Sequence, residues 1–79
     1  MEEWNRYNPI ASYVRQQRKA NAMTQPELAD FTGVGLRFVR DLEQGKPNLM
    51  TDKVNQILQF FGAELQPKPM TNATSENPN

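Results

Sequence analysis

Between Thr24 and Lys46 the chain reads TQPELADFTGVGLRFVRDLEQGK, two short amphipathic helical patterns separated by a glycine turn. Thr24 is placed to N-cap the first of them, and Glu27, three residues on, completes a capping box. Pro26 falls in the first turn, where a missing backbone donor costs nothing. Met23 and Leu28 have the N′ and N4 spacing of a hydrophobic staple. Leu28 and Ala29 face inward, with Ala29 small enough for a second helix to cross close by. Gly33 permits the positive φ of a sharp turn, and Val34 plugs the corner. Val39 and Leu42 give the second helix its buried stripe, which leaves Leu36, Arg37, Arg40, Asp41 and Gln44 for its outer face. This is the pattern of a helix-turn-helix that offers its second helix to a DNA major groove.

The same stretch resembles the lambda-repressor-like (Xre) family, whose pattern runs roughly T-Q-x-E-L-A-x-x-x-G-V-x-x-x-x-(I/V)-x-x-L-E-x-G-K. The likeness extends from Ile10 to about Gln66. The downstream run GKPNLMTDKVNQILQFFGAELQPK resembles the HipB-like antitoxin branch, on the strength of Gly62-Ala63-Glu64-Leu65 and the overall length. That resemblance implies a mainly α fold of four to five helices. It also implies a short C-terminal β-strand at a dimer interface, a homodimer on operator DNA, and a HipA-like serine/threonine kinase toxin as partner. It further implies that Arg18 and Glu43 pair, as the matching positions do in phage repressors, tying helix 1 to helix 3, the alternative for Arg18 being a direct DNA contact. One departure from the pattern is Gly35, where the family carries Ser, Thr or another polar residue, so a DNA contact from that side chain is missing.

Seventy-nine residues with 37% hydrophobic content support one modest core. There is no cysteine to staple it, and oligomerisation is a common supplement at this size. No apolar run approaches the ~20 residues of a membrane span, and Met1-Glu2-Glu3-Trp4 lacks a signal-peptide core, so a soluble cytoplasmic protein is expected. No histidine, no cysteine and only Ser12 and Ser75 as serines leave nothing from which to build a nucleophile–base pair. No metal-ligand spacing occurs, and Gly33-x-Gly35 lacks the third glycine of a dinucleotide loop. The expectation is a binding protein without catalytic residues, cofactor or metal.

Zero net charge argues at first against nucleic acid. Residues 9–62, however, hold seven Lys and Arg against five Asp and Glu, a net +2, and each end carries −1. A dimer whose cations face one side can still bind DNA, with weak non-specific affinity.

Around the central stretch, Asn8-Pro9 opens helix 1 at about 9–21, with Ile10 and Val14 as its stripe and Tyr13 beside it. Helix 2 covers about 25–32 and helix 3 about 35–44, stopped by Gly45 as a C′ residue. Thr51 caps helix 4, whose buried face is Val54, Ile57, Leu58 and Phe61, and Gly62 ends it. The chain thus divides into an N-terminal arm (1–8), the DNA-binding and dimerisation domain (9–66) and a disordered tail (67–79). Residues 63–66 are either the dimerising strand (Ala63, Glu64, Leu65, Gln66) or simply the start of that tail.

For base contact, Arg37 can donate bidentately to guanine and Leu36 can pack on a thymine methyl, the alternative for Leu36 being ordinary exposure or a partner contact. Asp41, one turn further, can accept from a cytosine amine. Backbone contacts fall to Arg40 and Gln44 at the groove edge, and to Gln25 at the N-terminus of helix 2. Lys46 and Asn48, in the loop after helix 3, resemble family residues that grip phosphate. Phe38 is assigned to the helix 3–4 seam. The favoured reading is a HipB-like antitoxin that represses its own operon and neutralises a kinase toxin. A stand-alone Xre-type regulator, or an interaction module that has lost DNA binding, are the alternatives.

Overall fold

The computed structural model describes residues 4–70. The expected tail therefore lies outside the described residues from position 71 onward, as do the first three residues of the arm. Four helices occupy the described chain: α1 (Pro9–Ala20), α2 (Gln25–Thr32), α3 (Leu36–Glu43) and α4 (Thr51–Phe60). No strand is formed among the described residues.

Each helix start has a local cause. The Asn8 side chain accepts from Ala11 N–H at 2.7 Å, with Pro9 at N1. At α2 both halves of the capping box are made: Glu27 N–H donates to Thr24 Oγ1 at 3.2 Å, and Thr24 N–H donates to Glu27 Oε1 at 2.8 Å. Gly35 caps α3 without a side chain. The start of α4 differs from expectation. Met50, not Thr51, is the N-cap residue, because the first intrahelical bond runs from Val54 N–H to the Met50 carbonyl. Thr51 is already in the helix, and no side chain caps this end.

Three of the four helices close in one way. After α1, Met23 N–H donates to Arg18 O and Ala22 N–H to Lys19 O. After α3, Lys46 N–H donates to Asp41 O and Gly45 N–H to Leu42 O. After α4, Ala63 N–H donates to Leu58 O and Gly62 N–H to Gln59 O. These paired bonds are Schellman closures, each with its C′ residue left-handed: Ala22 at φ 55°, Gly45 at 85° and Gly62 at 81°.

α3 packs against α1 and α2, and α2 also touches α4. Val14, Leu28, Ala29, Val39, Leu42, Val54, Ile57 and Leu58 make one continuous core, and Val34 in the turn joins it. Gly33 at φ 83° makes that turn. Phe31 and Phe60 stack at 5.9 Å on the outside of the α2–α4 seam, both largely exposed. Gln56 Nε2 on α4 donates to the Thr32 carbonyl at 2.7 Å, satisfying an orphan acceptor at the end of α2.

Candidate nucleic-acid interface

α2, the turn at Gly33 and α3 form a helix-turn-helix, and what α3 presents depends on how it is held. Arg18 on α1 grips Glu43 with two bonds, Nε to Oε2 at 2.7 Å and Nη2 to Oε1 at 3.0 Å. Its Nη1 also donates to the Met23 carbonyl at 2.9 Å. The Glu43 side chain is only 2% exposed, so the pair is buried and hydrogen-bonded as a bidentate fork. The hydrogen bond to Glu43 is the main reason the Arg18 guanidinium is pushed above its ordinary range, against the opposing effect of burial. Arg15, one turn earlier, donates to the backbone carbonyl of Glu43. It thereby places a cation at the negative end of the α3 dipole.

Gln25 joins the same cluster. Its Nε2 donates to Glu43 Oε1 at 3.0 Å, so the amide expected to face a phosphate is turned inward. The cause is the buried carboxylate: one oxygen still had a lone pair to fill, and an unsatisfied acceptor there is costly. The backbone at the N-terminus of α2 is the part of that expectation left for an anion.

Asp41 also departs from its expected place on the outer face. It is buried, with Oδ1 3.4 Å from Arg37 Nε and Oδ2 3.5 Å from Lys46 Nζ. Leu36 is likewise half-buried against the core rather than fully outward. Arg37, whose side chain is 85% exposed, together with Arg40, Gln44 and Asn48, does lie at the surface. Asn48 sits at φ 62°, which turns the loop after α3. A shallow cleft beside α3 brings together Arg37, Asp41, Lys46, Asn48 and Lys53. Lys53 is therefore an addition that sequence reasoning missed. It projects from the first turn of α4 and lies 5.9 Å from the Phe38 ring, and its only sequence signal was a lysine early in a helix.

The N-terminal arm was a second omission. Trp4 lies under Lys46, with Nζ 5.6 Å from the ring centre. The backbone of Asn5 crosses Gly45 so closely that a Cβ there would stand 1.9 Å from the Asn5 carbonyl oxygen. The arm thus seats on the α3–α4 loop, and Asn5 Oδ1 turns the chain by accepting from Tyr7 N–H at 3.0 Å.

A buried tie that fixes α3, an exposed arginine near its N-terminus and cations gathered along one edge define a helix-turn-helix domain that can present α3 to a polyanion. The helix-turn-helix family HTH_3 matches residues 14–67. The chain is 48% identical over 56 residues to an uncharacterised HTH-type transcriptional regulator, y4mF, of Sinorhizobium fredii (strain NBRC 101917 / NGR234). That similarity covers 71% of this chain and 74% of the relative. The chain belongs to the helix-turn-helix family of transcriptional regulators. Among the described residues no helix is long and apolar enough to cross a membrane.

Proposed function

We propose that this protein is a sequence-specific DNA-binding repressor acting as the antitoxin of a HipBA-like operon, autorepressing that operon as a homodimer and neutralising a kinase toxin. The observation that carries DNA binding is the exposed Arg37 near the N-terminus of α3, flanked by Lys46 and Lys53 along one cleft. The N-terminal part of a recognition helix enters the groove deepest, and Arg37 is placed there to donate to guanine, with Leu36 beside it against a thymine methyl. Lys46, Arg40, Gln44, Asn48 and Lys53 flank the groove and take phosphates. The antitoxin role is supported by the resemblance of residues 45–68 to the HipB-like branch. The dimer is supported by the alternating exposure of residues 63–66, with Ala63 and Leu65 half-buried and Glu64 and Gln66 outward.

The test is a binding series on the duplex upstream of the protein's own gene, repeated across salt. Arg37→Ala is expected to cost about 1–3 kcal/mol per half-site and to relax preference at one base pair. Lys46→Ala is expected to weaken all duplexes alike and flatten the salt slope. Equal, sequence-independent losses from both variants would remove Arg37 from base reading. For the toxin, the product of the neighbouring reading frame should be a kinase-like protein that co-purifies with this chain. A neighbour of any other kind leaves a stand-alone regulator.

A further inference from the structure

Asp41 is an anomaly on a surface built to meet phosphate. It is a carboxylate at the floor of the cationic cleft, with its side chain 12% exposed and its two oxygens turned to two different cations, Arg37 and Lys46. Arg37 belongs to α3 and Lys46 to the loop after it, so one carboxylate spans the residue placed for a base and a residue placed for phosphate. Lys46 also lies 5.6 Å from the Trp4 ring centre. A group so enclosed is poorly placed to accept from a cytosine amine, whereas its charge acts directly on both neighbours.

We propose that Asp41 is a specificity-determining counter-charge. It occupies Arg37 and Lys46 in the free protein, so that a phosphate alone gains little from them, and a site that offers Arg37 a paired acceptor gains more. Non-specific affinity comes almost entirely from released counterions and scales with the cations free to neutralise phosphate. Base contacts discriminate by geometry. The carboxylate lowers what either cation gains from a phosphate, while a paired acceptor on a base offsets the loss of Asp41 for Arg37, which widens the ratio between right and wrong sequences. That ratio, not the dissociation constant alone, decides occupancy among many competing sites. This inference rests on the DNA-binding reading above.

The experiment compares the intact wild-type chain with Asp41→Asn on two duplexes of equal length, the protein's own upstream region and a scrambled version. Freeing one unit of positive charge per protomer should steepen the salt slope by about one and tighten the scrambled duplex about fivefold per protomer near 0.15 M salt. The upstream duplex should gain less, so the preference between the two falls. Asp41→Ala removes the same charge with a better helix former and gives the same readings should the asparagine variant fail to fold. Unchanged affinity and slope on the scrambled duplex overturn the proposal. Loss of preference at a single base pair with the scrambled duplex unaffected also overturns it, because Asp41 would then be reading a base. A wild-type chain that binds neither duplex at low salt overturns the DNA-binding reading itself and this inference with it.

Discussion

Glu43 collects three side-chain donors, two from Arg18 and one from Gln25. Breaking such a pair on one side strands a charge in a poorly solvated place, which typically costs about 3–5 kcal/mol, whereas replacing both partners with apolar groups is often neutral. Arg18→Met is therefore expected to lower stability by about 3 kcal/mol, and Arg18→Met with Glu43→Leu to recover much of it, read by chemical denaturation. No change in the single variant would mean that the buried pair does not hold α3. Arg18 is pushed above the ordinary arginine range. Its contribution is fully present below that range and is lost only as pH rises through the raised value, so acid and neutral conditions leave its charge in place. At this scale the motif made the Arg18–Glu43 meeting legible, but not the destinations of Gln25, Arg15 or Asp41. Spacing along a helix says which face a side chain leaves from. It does not say whether a buried acceptor on another helix stands within about 3 Å of it, and that distance decides between an inward bond and a phosphate.

The three closures at the helix ends share one geometry but differ in the residue that takes it. Ala22 adopts φ 55° after α1, where a side chain costs about 1–2 kcal/mol. Ala22→Gly relieves that cost and is expected to raise stability by about 1 kcal/mol, read as a higher denaturation midpoint at unchanged slope. Gly45 is the opposite case, because a methyl group would meet both a left-handed backbone and the Asn5 carbonyl. Gly45→Ala should cost at least about 2 kcal/mol and lift the arm from the α3–α4 loop. Trp4 is the chain's single tryptophan, so its emission should shift toward that of an exposed indole. An unshifted spectrum in a destabilised variant would place the strain in the loop alone. The helices themselves were legible because caps, staples and stripes are local. Thr51 misled because threonine favours N-cap positions, yet the first backbone bond fixes the cap and starts at Met50. The arm was invisible for a different reason: its contacts join residues about 40 positions apart, and nothing in Trp4-Asn5 announces a loop beneath.

A domain of this size buries a small core, and a recognition helix read as a lone copy holds one half-site. The proposed dimer would answer both considerations, with residues 63–66 as its contact. Leu65 N–H donates to Asn55 Oδ1 at 2.7 Å, which fastens this segment to α4 on one side. In an extended segment neighbouring residues turn their backbone groups to opposite sides, so those of Glu64 and Gln66 would face away from α4. A lone edge of that kind is marginal in water, and the described chain accordingly forms no strand there. Antiparallel pairing with the same segment of a second copy would fill both edges with one symmetric contact. It would also set the two α3 helices roughly 34 Å apart, as a palindromic operator demands. Truncation after Gly62 should then give a monomer at micromolar concentration and a large loss of affinity for the upstream duplex. Asn55→Ala, which frees Leu65 N–H while keeping the segment, should weaken the dimer by less, about 1 kcal/mol. A truncated chain that sediments as a dimer and shifts the duplex unchanged would move the interface elsewhere. The exposed Phe31–Phe60 stack on the α2–α4 seam would then be the next surface to mutate.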